Sequence, residues 1–471
     1  MSRAPSTPLS PADIVRSGLC IGCGACAAKA EPGTAGMGFD RYGQLKPAGP
    51  FRHGRSEEFS RLCPFSPIAR NEDDLAAEHL AAAPVVDAKL GRFSAAFVGH
   101  AGPDVRAAGS SGGMVSWVAL ALLRSGRIDA VAHVAGKGRP DAAEPMFAYR
   151  LSRTEAELRS GARSRYYPVE MSGVLQEIRR TPGRYAVIGL PCFIKAVRLL
   201  QARDPVLRER IVWTLGLFCG HMKSARMADS FSWQLGARTT DVAALDYRIK
   251  DPSRAANIYT AEARLVSGET KRQDWWSLAD GDWGAGFFQN SACNMCDDVA
   301  AETADIAFGD AWAEPYAQDG RGTNVVVARR PELARLLEEA SMAGEISLQA
   351  VDAAFVVATQ AAGFRQRREG LAHRLTWPRR GVRPIKRVAP RREPDPHRRR
   401  IYRIRAIVSA WSHRVMWSSR LLRWPGLYVA WARTALAAYH GLAYGRGRLG
   451  RLVARWDRMR GRTQPSQTGA A

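Results

Sequence analysis

Apolar runs and amphipathic stretches alternate along the middle of the chain. Residues 93–99 (FSAAFVG) predict a strand, MVSWVALALLRSG predicts an apolar helix that ends at Gly126, and IDAVAHV predicts the next strand. The order repeats downstream, where RYAVIGLPC precedes the helical FIKAVRLLQAR and IVWTLGLFCG precedes the helical SARMADSFSWQLG. DIAFGDAW and GTNVVVARRPELARLLEEA complete the pattern. Strands that alternate with helices predict an α/β body over residues 71–370.

The segments on either side of this body have different patterns. Residues 1–70 predict a small, loop-rich module, and residues 371–400 are rich in Arg and Pro, which predicts an extended linker. Residues 401–471 predict a basic, amphipathic helical appendage. Its apolar positions fall on one face of the predicted helix: Ile401, Ile404, Ile407, Val408, Trp411, Val415 and Leu422.

The net charge of +24 is concentrated in one part of the sequence. Residues 374–462 contain 24 basic and three acidic residues, a net charge of +21, so that the preceding body is nearly neutral. This distribution excludes a uniformly basic nucleic-acid binder. No base-reading motif accompanies the basic segment, which argues against nucleic acid as the partner.

The basic segment has two open interpretations. Six of the 13 Trp residues lie beyond residue 376, and a basic amphipathic helix with Trp is typical of binding to an anionic membrane surface through residues 401–462. The alternative is a helix that packs on the body or on a partner subunit.

The sequence predicts a cytoplasmic protein, peripheral on the inner membrane face if the first interpretation holds. The N-terminus MSRAPSTPLSPADIVRSG lacks the apolar run of a signal peptide. The longest apolar stretch, Leu421–Tyr444, is interrupted by Arg423, Pro425, Arg433 and His440, which makes it a poor membrane span.

Four cysteines near the N-terminus predict a ferredoxin-like cluster module. In a cytoplasmic protein the spacing of cysteines indicates metal rather than disulfides. Cys20, Cys23 and Cys26 form a C-x2-C-x2-C run, and Cys63-Pro64 supplies the Cys-Pro pair typical of the remote ligand of a bacterial ferredoxin. Glycines between the thiolates let the backbone wrap closely around a cluster. Zinc is the alternative, although it normally takes paired C-x2-C knuckles.

The other four cysteines predict a second four-thiolate site. Cys192 and Cys219 each follow a predicted buried parallel strand, and Cys293-Asn-Met-Cys296 is a C-x2-C pair. Ligands at strand ends beside such a loop could complete a site. The alternative is that Cys192 and Cys219 are small buried apolar residues and that only the pair has a role.

Small residues precede the helix that follows the first predicted strand of the body. A strand, then Ser110-Ser111-Gly112-Gly113, then a helix is a geometry that can bind phosphate or the edge of a flavin. The alternative is an ordinary helix cap. No G-x-G-x-x-G fingerprint is present, which argues against a standard dinucleotide-binding Rossmann unit.

Two acidic residues, Asp305 and Asp310, flank a predicted strand end in DIAFGDAW. They could act in acid–base chemistry, but a capping or turn role explains them equally well. The catalytic residues therefore stay unassigned.

Seven collinear motifs together resemble a known family over about residues 15–345. They are CIGCGACAA with Met37-Gly38-Phe39-Asp40 and Gly43, SSGGMVSWVALALL, SRYYP, YAVIGLPCFIKAVRLL, LGLFCG, CNMCDDVAAETADIAFGDAW and RGTNVVV. In this order they resemble the coenzyme F-420 hydrogenase/dehydrogenase beta-subunit family.

The resemblance implies an iron-sulfur flavoprotein oxidoreductase that binds FAD and one or two [4Fe-4S] clusters. Carried over by position, Cys20, Cys23, Cys26 and Cys63 would hold the first cluster, and Cys192, Cys219, Cys293 and Cys296 the second. Residues Ser110, Ser111, Gly112 and Gly113 would lie at the flavin. Arg165 and Tyr166 occupy the place of a basic-aromatic pair near the cofactor.

Two functional hypotheses follow. In the first, the protein is an enzyme that moves electrons between clusters and a two-electron acceptor through FAD, with a ferredoxin-like electron donor or acceptor and a small-molecule or glycan-linked substrate. In the second, it is a non-catalytic electron-transfer subunit whose partner docks on the basic tail.

Overall fold

The strands form one large sheet and several small ones. The computed structural model of the protein describes residues 7–30, 34–137, 145–447, 450–452 and 455. Within these ranges the strands are β1 Gly36–Phe39, β2 Leu45–Ala48, β3 Val85–Asp87, β4 Gly91–Phe93, β5 Ala95–Ala101, β6 Ala130–Gly136, β7 Phe147–Ser152, β8 Tyr185–Gly189, β9 Ile211–Leu217, β10 Val242–Ile249, β11 Thr260–Leu265, β12 Thr270–Asp274, β13 Ile306–Asp310, β14 Asn324–Ala328 and β15 Ile346–Ala350.

The helices surround the large sheet and continue beyond it toward the C-terminus. In the same ranges they are α1 Pro11–Arg16, α2 Ala25–Lys29, α3 Glu57–Leu62, α4 Glu72–His79, α5 Pro103–Ala108, α6 Met114–Arg124, α7 Glu155–Ser160, α8 Ser172–Arg180, α9 Pro191–Gln201, α10 Pro205–Arg210, α11 Arg226–Gln234, α12 Pro331–Met342, α13 Ala353–Thr359, α14 Ala361–Arg367, α15 Glu369–Leu375, α16 Pro396–Leu421 and α17 Pro425–Tyr444.

The large sheet has the strand order β15-β5-β14-β13-β9-β8-β6-β7. Its central strands β13, β9, β8 and β6 are parallel, and the outer pairs are antiparallel. The parallel strands β8 and β9 are largely buried, as their apolar runs predict. Carboxyl ends of neighbouring parallel strands meet at one edge, so Cys192 and Cys219 follow β8 and β9 on the same side of the sheet.

The predicted α/β body is therefore confirmed as a mixed α/β fold. Strand β5 and helix α6, and the strand–helix pairs β8–α9, β9–α11 and β14–α12, form where the sequence predicts them. The features that were not predicted include the short helix α5 between β5 and the small-residue segment, and the three-stranded antiparallel sheet β10-β11-β12.

Apolar side chains from the N-terminal segment, the body and the C-terminal helices share one buried cluster. Leu19 and Phe59 belong to it from the N-terminal segment, Val187 from the central sheet, and Val408 and Tyr428 from the C-terminal helices. The predicted domain boundaries stay a prediction, but all three segments pack on the same core.

The C-terminal residues that are described form a helical hairpin, because α16 and α17 pack against each other. Helix α16 begins behind the N-cap Asp395, whose carboxylate accepts hydrogen bonds from the amides of His397 and Arg398. The prediction that the apolar residues of this helix share one face is wrong in part. Ile401 and Val408 are buried, whereas Ile407 and Trp411 are exposed, and the buried side is completed by Ser409, Ser412, His413, Met416 and Ser419.

Polar contacts fix this buried side of α16 to the body. The hydroxyl of Ser412 accepts a hydrogen bond from the Phe288 amide at 2.9 Å, and the hydroxyl of Ser409 donates one to the Gln289 carbonyl at 3.0 Å. Packing on the body, one of the two interpretations of the basic helix, is therefore correct for this face. Among the described residues, no helix is long and apolar enough to cross a membrane. The rest of the predicted tail, after residue 455, lies outside the described residues.

Candidate functional site

The first four cysteines lie together beside α2 and α3. Cys20 and Cys23 precede α2, Cys26 lies within it, and Cys63 caps the C-terminus of α3. Burial raises the pKa of the Cys63 thiol to about 12, and the Cys20 thiolate adds to the rise. Burial likewise raises the pKa of Cys26, with further contributions from Cys23, Cys20 and Cys63. These mutual electrostatic contributions place the four thiols near one another, and all four are free of disulfides.

Two glycines allow the chain to turn tightly between these thiols. Gly22 and Gly24 both have φ of +81°, in the left-handed region that favours glycine. A Cβ on Gly22 would lie 2.5 Å from the Leu45 carbonyl oxygen, and one on Gly24 would lie 2.3 Å from a carboxylate oxygen of Glu170. The backbone therefore turns tightly between the thiols, and a side chain at either position would be strained. Wrapping around a cluster stays a prediction.

Backbone amides point at the sulfurs of this set. Hydrogen bonds from the amide of Ala25 to Cys23 and from the amides of Phe65 and Ser66 to Cys63 favour the thiolate forms and partly offset the cost of burial. Amide donors of this kind stabilise and tune metal-bound thiolates.

The second four cysteines also come together, from three separate parts of the chain. Cys192 lies in the first turn of α9, Cys219 follows β9, and Cys293 and Cys296 lie in and just after a short 3-10 helix. Burial raises the pKa of Cys192, and the thiolates of Cys296, Cys219 and Cys293 raise it further. The Met222 amide donates a hydrogen bond to the Cys293 sulfur at 3.3 Å. The structure therefore joins all four residues that the sequence grouped.

The two thiol sets are neighbours. Burial raises the pKa of the Tyr149 hydroxyl, and thiolates from both sets, Cys192 and Cys23, contribute to that rise. The hydroxyl donates a hydrogen bond to the Ile188 carbonyl at 2.8 Å, which fixes it between them.

A buried arginine that sequence reasoning missed lies against the second set. Arg367, on α14, donates hydrogen bonds to the carbonyls of Cys219 at 3.0 Å and Gly220 at 2.6 Å, and its guanidinium lies 3.8 Å from the Cys219 sulfur. Burial alone would lower the pKa of Arg367, but the four facing thiolates, Cys296 first, raise it. The side chain supplies a positive charge to a site of concentrated negative charge.

Ion pairs hold the predicted linker against the same loop. Asp297, the residue after Cys296, is fully buried and pairs with Lys386 at 3.2 Å and Arg387 at 3.4 Å. These cations outweigh the effect of burial and hold the pKa of Asp297 far below its usual range. The linker predicted over residues 371–400 is shorter in the structure, because residues 371–375 belong to α15 and residues 396–400 to α16. Residues 376–395 contain neither helix nor strand, and this segment is anchored to the body rather than surrounded by solvent.

The small-residue segment connects α5 to α6 in a constrained conformation. Gly113 has φ of +80°, and a Cβ on Gly112 would lie 2.8 Å from both the amide nitrogen and the side-chain oxygen of Asn324. Neither serine caps α6; the Asn324 side chain accepts from the Met114 amide at 3.1 Å instead. Gly113 is the N-cap of α6, so the cap interpretation holds for this glycine and not for the two serines. That the segment binds a flavin stays a prediction.

The structure brings the Arg165–Tyr166 pair to this segment. The hydroxyl of Ser110 accepts a hydrogen bond from the amide of Ser164, the residue before the pair, at 2.9 Å. The Arg165 guanidinium lies over the Phe147 ring at 5.1 Å and 3.8 Å from Asp246. The hydrogen bond joins the segment of Ser110 to the segment of Arg165 and Tyr166, and the flavin site itself stays a prediction.

Aromatic side chains link this region to the second thiol set. The Tyr166 ring lies 4.7 Å from the Trp283 ring, which stacks on His221 at 4.5 Å. Trp283 also covers Gly220, where a Cβ would lie 2.4 Å from the indole nitrogen. Because Gly220 follows Cys219, one indole spans the space between the predicted flavin region and the second thiol set. Sequence reasoning missed Trp283, since an isolated Trp carries no spacing pattern.

The two acidic residues considered from the sequence have structural partners. Asp305 is buried and pairs with Arg198 at 2.8 Å while its other oxygen accepts from the amide and hydroxyl of Thr214. Asp310 pairs with Arg248 at 3.0 Å. These contacts account for both carboxylates without acid–base chemistry.

In the described part of the chain, no group of three or more His, Cys, Asp or Glu side chains is arranged to hold a metal ion. The eight predicted cluster ligands stay a prediction, and their support is the grouping of the thiols into two sets of four.

Comparisons with known proteins match two family models and several solved structures. Residues 96–176 match the coenzyme F420 hydrogenase/dehydrogenase beta subunit N-term, and residues 183–354 match the C terminus of the same subunit. No curated protein matches. A chain of the xenon-derivatised F420-reducing [NiFe] hydrogenase complex from Methanosarcina barkeri is similar at a TM-score of 0.46 and 17% identity, covering 62% of this chain and 94% of that chain. Since the two models together match more than half of the sequence, the chain belongs to the coenzyme F420 hydrogenase/dehydrogenase beta-subunit family of electron-transferring oxidoreductases.

Proposed function

We propose that this protein is an iron-sulfur flavoprotein that moves electrons between two [4Fe-4S] clusters and a two-electron acceptor through bound FAD. The observation that carries the proposal is the second thiol set, because three separate parts of the chain converge to bring Cys192, Cys219, Cys293 and Cys296 together beside the first set. Eight cysteines in two neighbouring groups of four have no simpler structural use in a chain whose cysteines are all free of disulfides.

The donor chemistry fits clusters. Four thiols, backbone amides aimed at sulfur and buried surroundings are the conditions in which proteins hold [4Fe-4S] groups. Burial raises the pKa of the Cys296 thiol, and the nearby charges of Arg367 and Lys386 offset part of that rise. Thiolates are the ligand form, so these two cations favour metal binding.

The flavin proposal rests on the region around Ser110–Gly113. The backbone approaches its surroundings closely at Gly112 and Gly113, and the adjoining segment supplies the Arg165 guanidinium and the Tyr166 ring. This combination suits a planar, anionic cofactor. A flavin exchanges two electrons or a hydride and a cluster exchanges one electron, so together they connect one-electron and two-electron partners. The residues of the chain position these groups, exclude water from the thiols and supply compensating charge.

The partners proposed for this chemistry are a ferredoxin-like protein on the one-electron side and a small-molecule or glycan-linked substrate on the two-electron side. The name of the family makes the deazaflavin coenzyme F420 the first acceptor to test. That substrate class stays part of the proposal.

Metal and flavin analysis of the anaerobically purified protein tests the proposal. We expect about eight iron atoms per chain, together with FAD. A Cys23→Ser variant should lose the first cluster's spectroscopic signal and keep the flavin, and a Cys296→Ser variant should lose only the second cluster's signal. Iron near half the expected value would remove the second cluster from the proposal, and zinc in place of iron would overturn both clusters.

A second candidate function follows from the family description as a beta subunit. In this alternative the chain is a non-catalytic electron-transfer subunit that requires a partner enzyme. Purified protein with loaded clusters distinguishes the two, because turnover of a hydride acceptor by the chain alone would exclude the alternative. Reduction of the clusters with no turnover in the absence of another protein would favour it.

A further inference from the structure

The connection between α16 and α17 exposes an apolar apex, defined here as residues 421–426. Leu421, Leu422 and Trp424 have 69%, 62% and 59% of their surface exposed. Exposure of three large apolar side chains within four consecutive residues is costly in water. Pro425 begins α17 directly after them, so the apex is short and fixed between two long helices.

The exposed face of α16 continues the apex as a stripe. The exposed residues of this stripe follow one another at intervals of three or four positions, which is the spacing of one helix face. They are Arg403, Ile407, Trp411, Arg414, Trp417 and Leu421. The Arg414 guanidinium lies 5.8 Å from the Trp411 ring. A groove of about 590 Å³ runs between this face and the Trp377–Pro378 segment.

The charge of this surface has one sign. From residue 396 to residue 456 the sequence contains 13 Arg and no Asp or Glu. The surface therefore attracts an anionic partner, and its mixture of Trp, Leu and Arg is the composition that binds at the boundary between lipid headgroups and acyl chains.

The opposite side of the hairpin is already occupied by the body. The Tyr428 hydroxyl donates a hydrogen bond to a carboxylate oxygen of Asp280 at 2.9 Å, and the imidazole of His440 pairs with Asp282 at 2.7 Å. Together with the contacts of Ser409 and Ser412, these bonds determine which face of the hairpin is exposed to solvent. The apex and stripe are therefore a rigid surface rather than a mobile tail.

We infer that the apex and the outer face of α16 dock the protein on an anionic phospholipid membrane. Leu421, Leu422 and Trp424 enter the headgroup boundary, and Arg403 and Arg414 contact lipid phosphates. The mode is peripheral, because no described helix can cross a membrane. This inference does not depend on the redox function.

Sedimentation of the full-length protein with vesicles tests the inference. Vesicles of phosphatidylglycerol and phosphatidylcholine in equal parts should bind the protein, and vesicles of phosphatidylcholine alone should bind it weakly. Replacing Leu421, Leu422 and Trp424 together by Ser should weaken the vesicle affinity roughly a hundredfold, because the inserted apolar surface is lost. A matched triple variant of exposed apolar residues elsewhere, Val86→Ser, Trp276→Ser and Met342→Ser, should bind like the wild type.

Circular dichroism and gel filtration establish that each variant is folded. The inference is overturned if the folded wild-type protein does not bind anionic vesicles. An acidic protein surface would then be the remaining candidate partner for the apex and the outer face of α16. The inference is also overturned if the apex variant binds as tightly as the wild type, since binding would then rest on charge alone and not on insertion. Loss of binding in both triple variants would show that the effect is not specific to the apex.

Discussion

The charge that Arg367 places against the second thiol set leads to a quantitative prediction. The guanidinium lies 3.8 Å from the Cys219 sulfur and is held there by the carbonyls of Cys219 and Gly220. Replacing Arg367 by Met removes the positive charge and keeps an aliphatic stem of similar length. Reduction adds an electron to a bound cluster, and a nearby positive charge stabilises that electron. We therefore expect Arg367→Met to lower the reduction potential of the proposed second cluster.

The size of the shift follows from the distance. Two unit charges at about 4 Å interact with about 4 kcal/mol at an effective dielectric constant of about 20. The added electron is spread over the cluster and its four sulfurs, so that roughly a third of this energy, about 1.4 kcal/mol, acts through the sulfur nearest to Arg367. For a one-electron couple this energy corresponds to about 60 mV.

Anaerobic potentiometric titration followed by electron paramagnetic resonance measures the potential. Arg365→Met removes the same charge from the same helix at a half-exposed position and should shift the potential much less. Arg367→Lys keeps the charge and should retain most of the wild-type potential. The reasoning is refuted if Arg367→Met retains its iron and leaves the potential within the scatter of the Arg365 control, or raises it.

Three further predictions concern stability and the flavin region. Asp305→Ala leaves Arg198 buried without its carboxylate and should lower the free energy of unfolding by about 3–5 kcal/mol, measured by urea denaturation. Gly112→Ala places a methyl group against Asn324 and should reduce bound flavin, whereas Gly173→Ala, where a Cβ meets open space, should not; equal flavin content in both variants would contradict this. Burial, with a smaller effect from Arg150, lowers the pKa of His133 to about 4, so the unfolded state binds more protons below pH 6.5. Stability should therefore fall by about 2 kcal/mol between pH 7 and pH 5 on account of this residue, and His133→Gln should flatten the pH dependence of unfolding.

The parts of the fold that the sequence predicted correctly are those where one pattern dominates. Strands β8 and β9 are buried between layers, so their apolar runs are unbroken, and each is followed by an amphipathic helix. Strand β12 escaped prediction because Thr270–Asp274 contains no apolar residue. It forms through backbone pairing with the preceding strand β11, and backbone pairing does not require apolar side chains in the strand.

The cysteine grouping was predictable because thiols are rare and their spacing is informative. The position of Arg367 beside the second thiol set was not predictable. The sequence of an amphipathic helix does not show whether a single Arg on it faces water or a thiol. The role of Arg367 depends on the packing of α14 beneath the segment after β9, a contact between residues almost 150 positions apart. Residues that surround a site are thus harder to predict from sequence than its ligands. What they contribute depends on whether the side chain is buried and on which group it points at, and neither follows from the residue type.

Some basic side chains of the C-terminal region face the body of the protein and others face solvent. This difference determines how the membrane-docking inference should be tested. Lys386 and Arg387 turn inward and pair with Asp297 beside Cys296, where they compensate negative charge that is costly to bury. Arg403 and Arg414 turn outward on α16. Deleting the whole region would therefore remove membrane docking and also expose or destabilise the second thiol set, so the two effects could not be separated. Substitutions confined to the apex leave Lys386 and Arg387 in place, and they should weaken vesicle binding roughly a hundredfold while iron content and reduction potential stay at wild-type values.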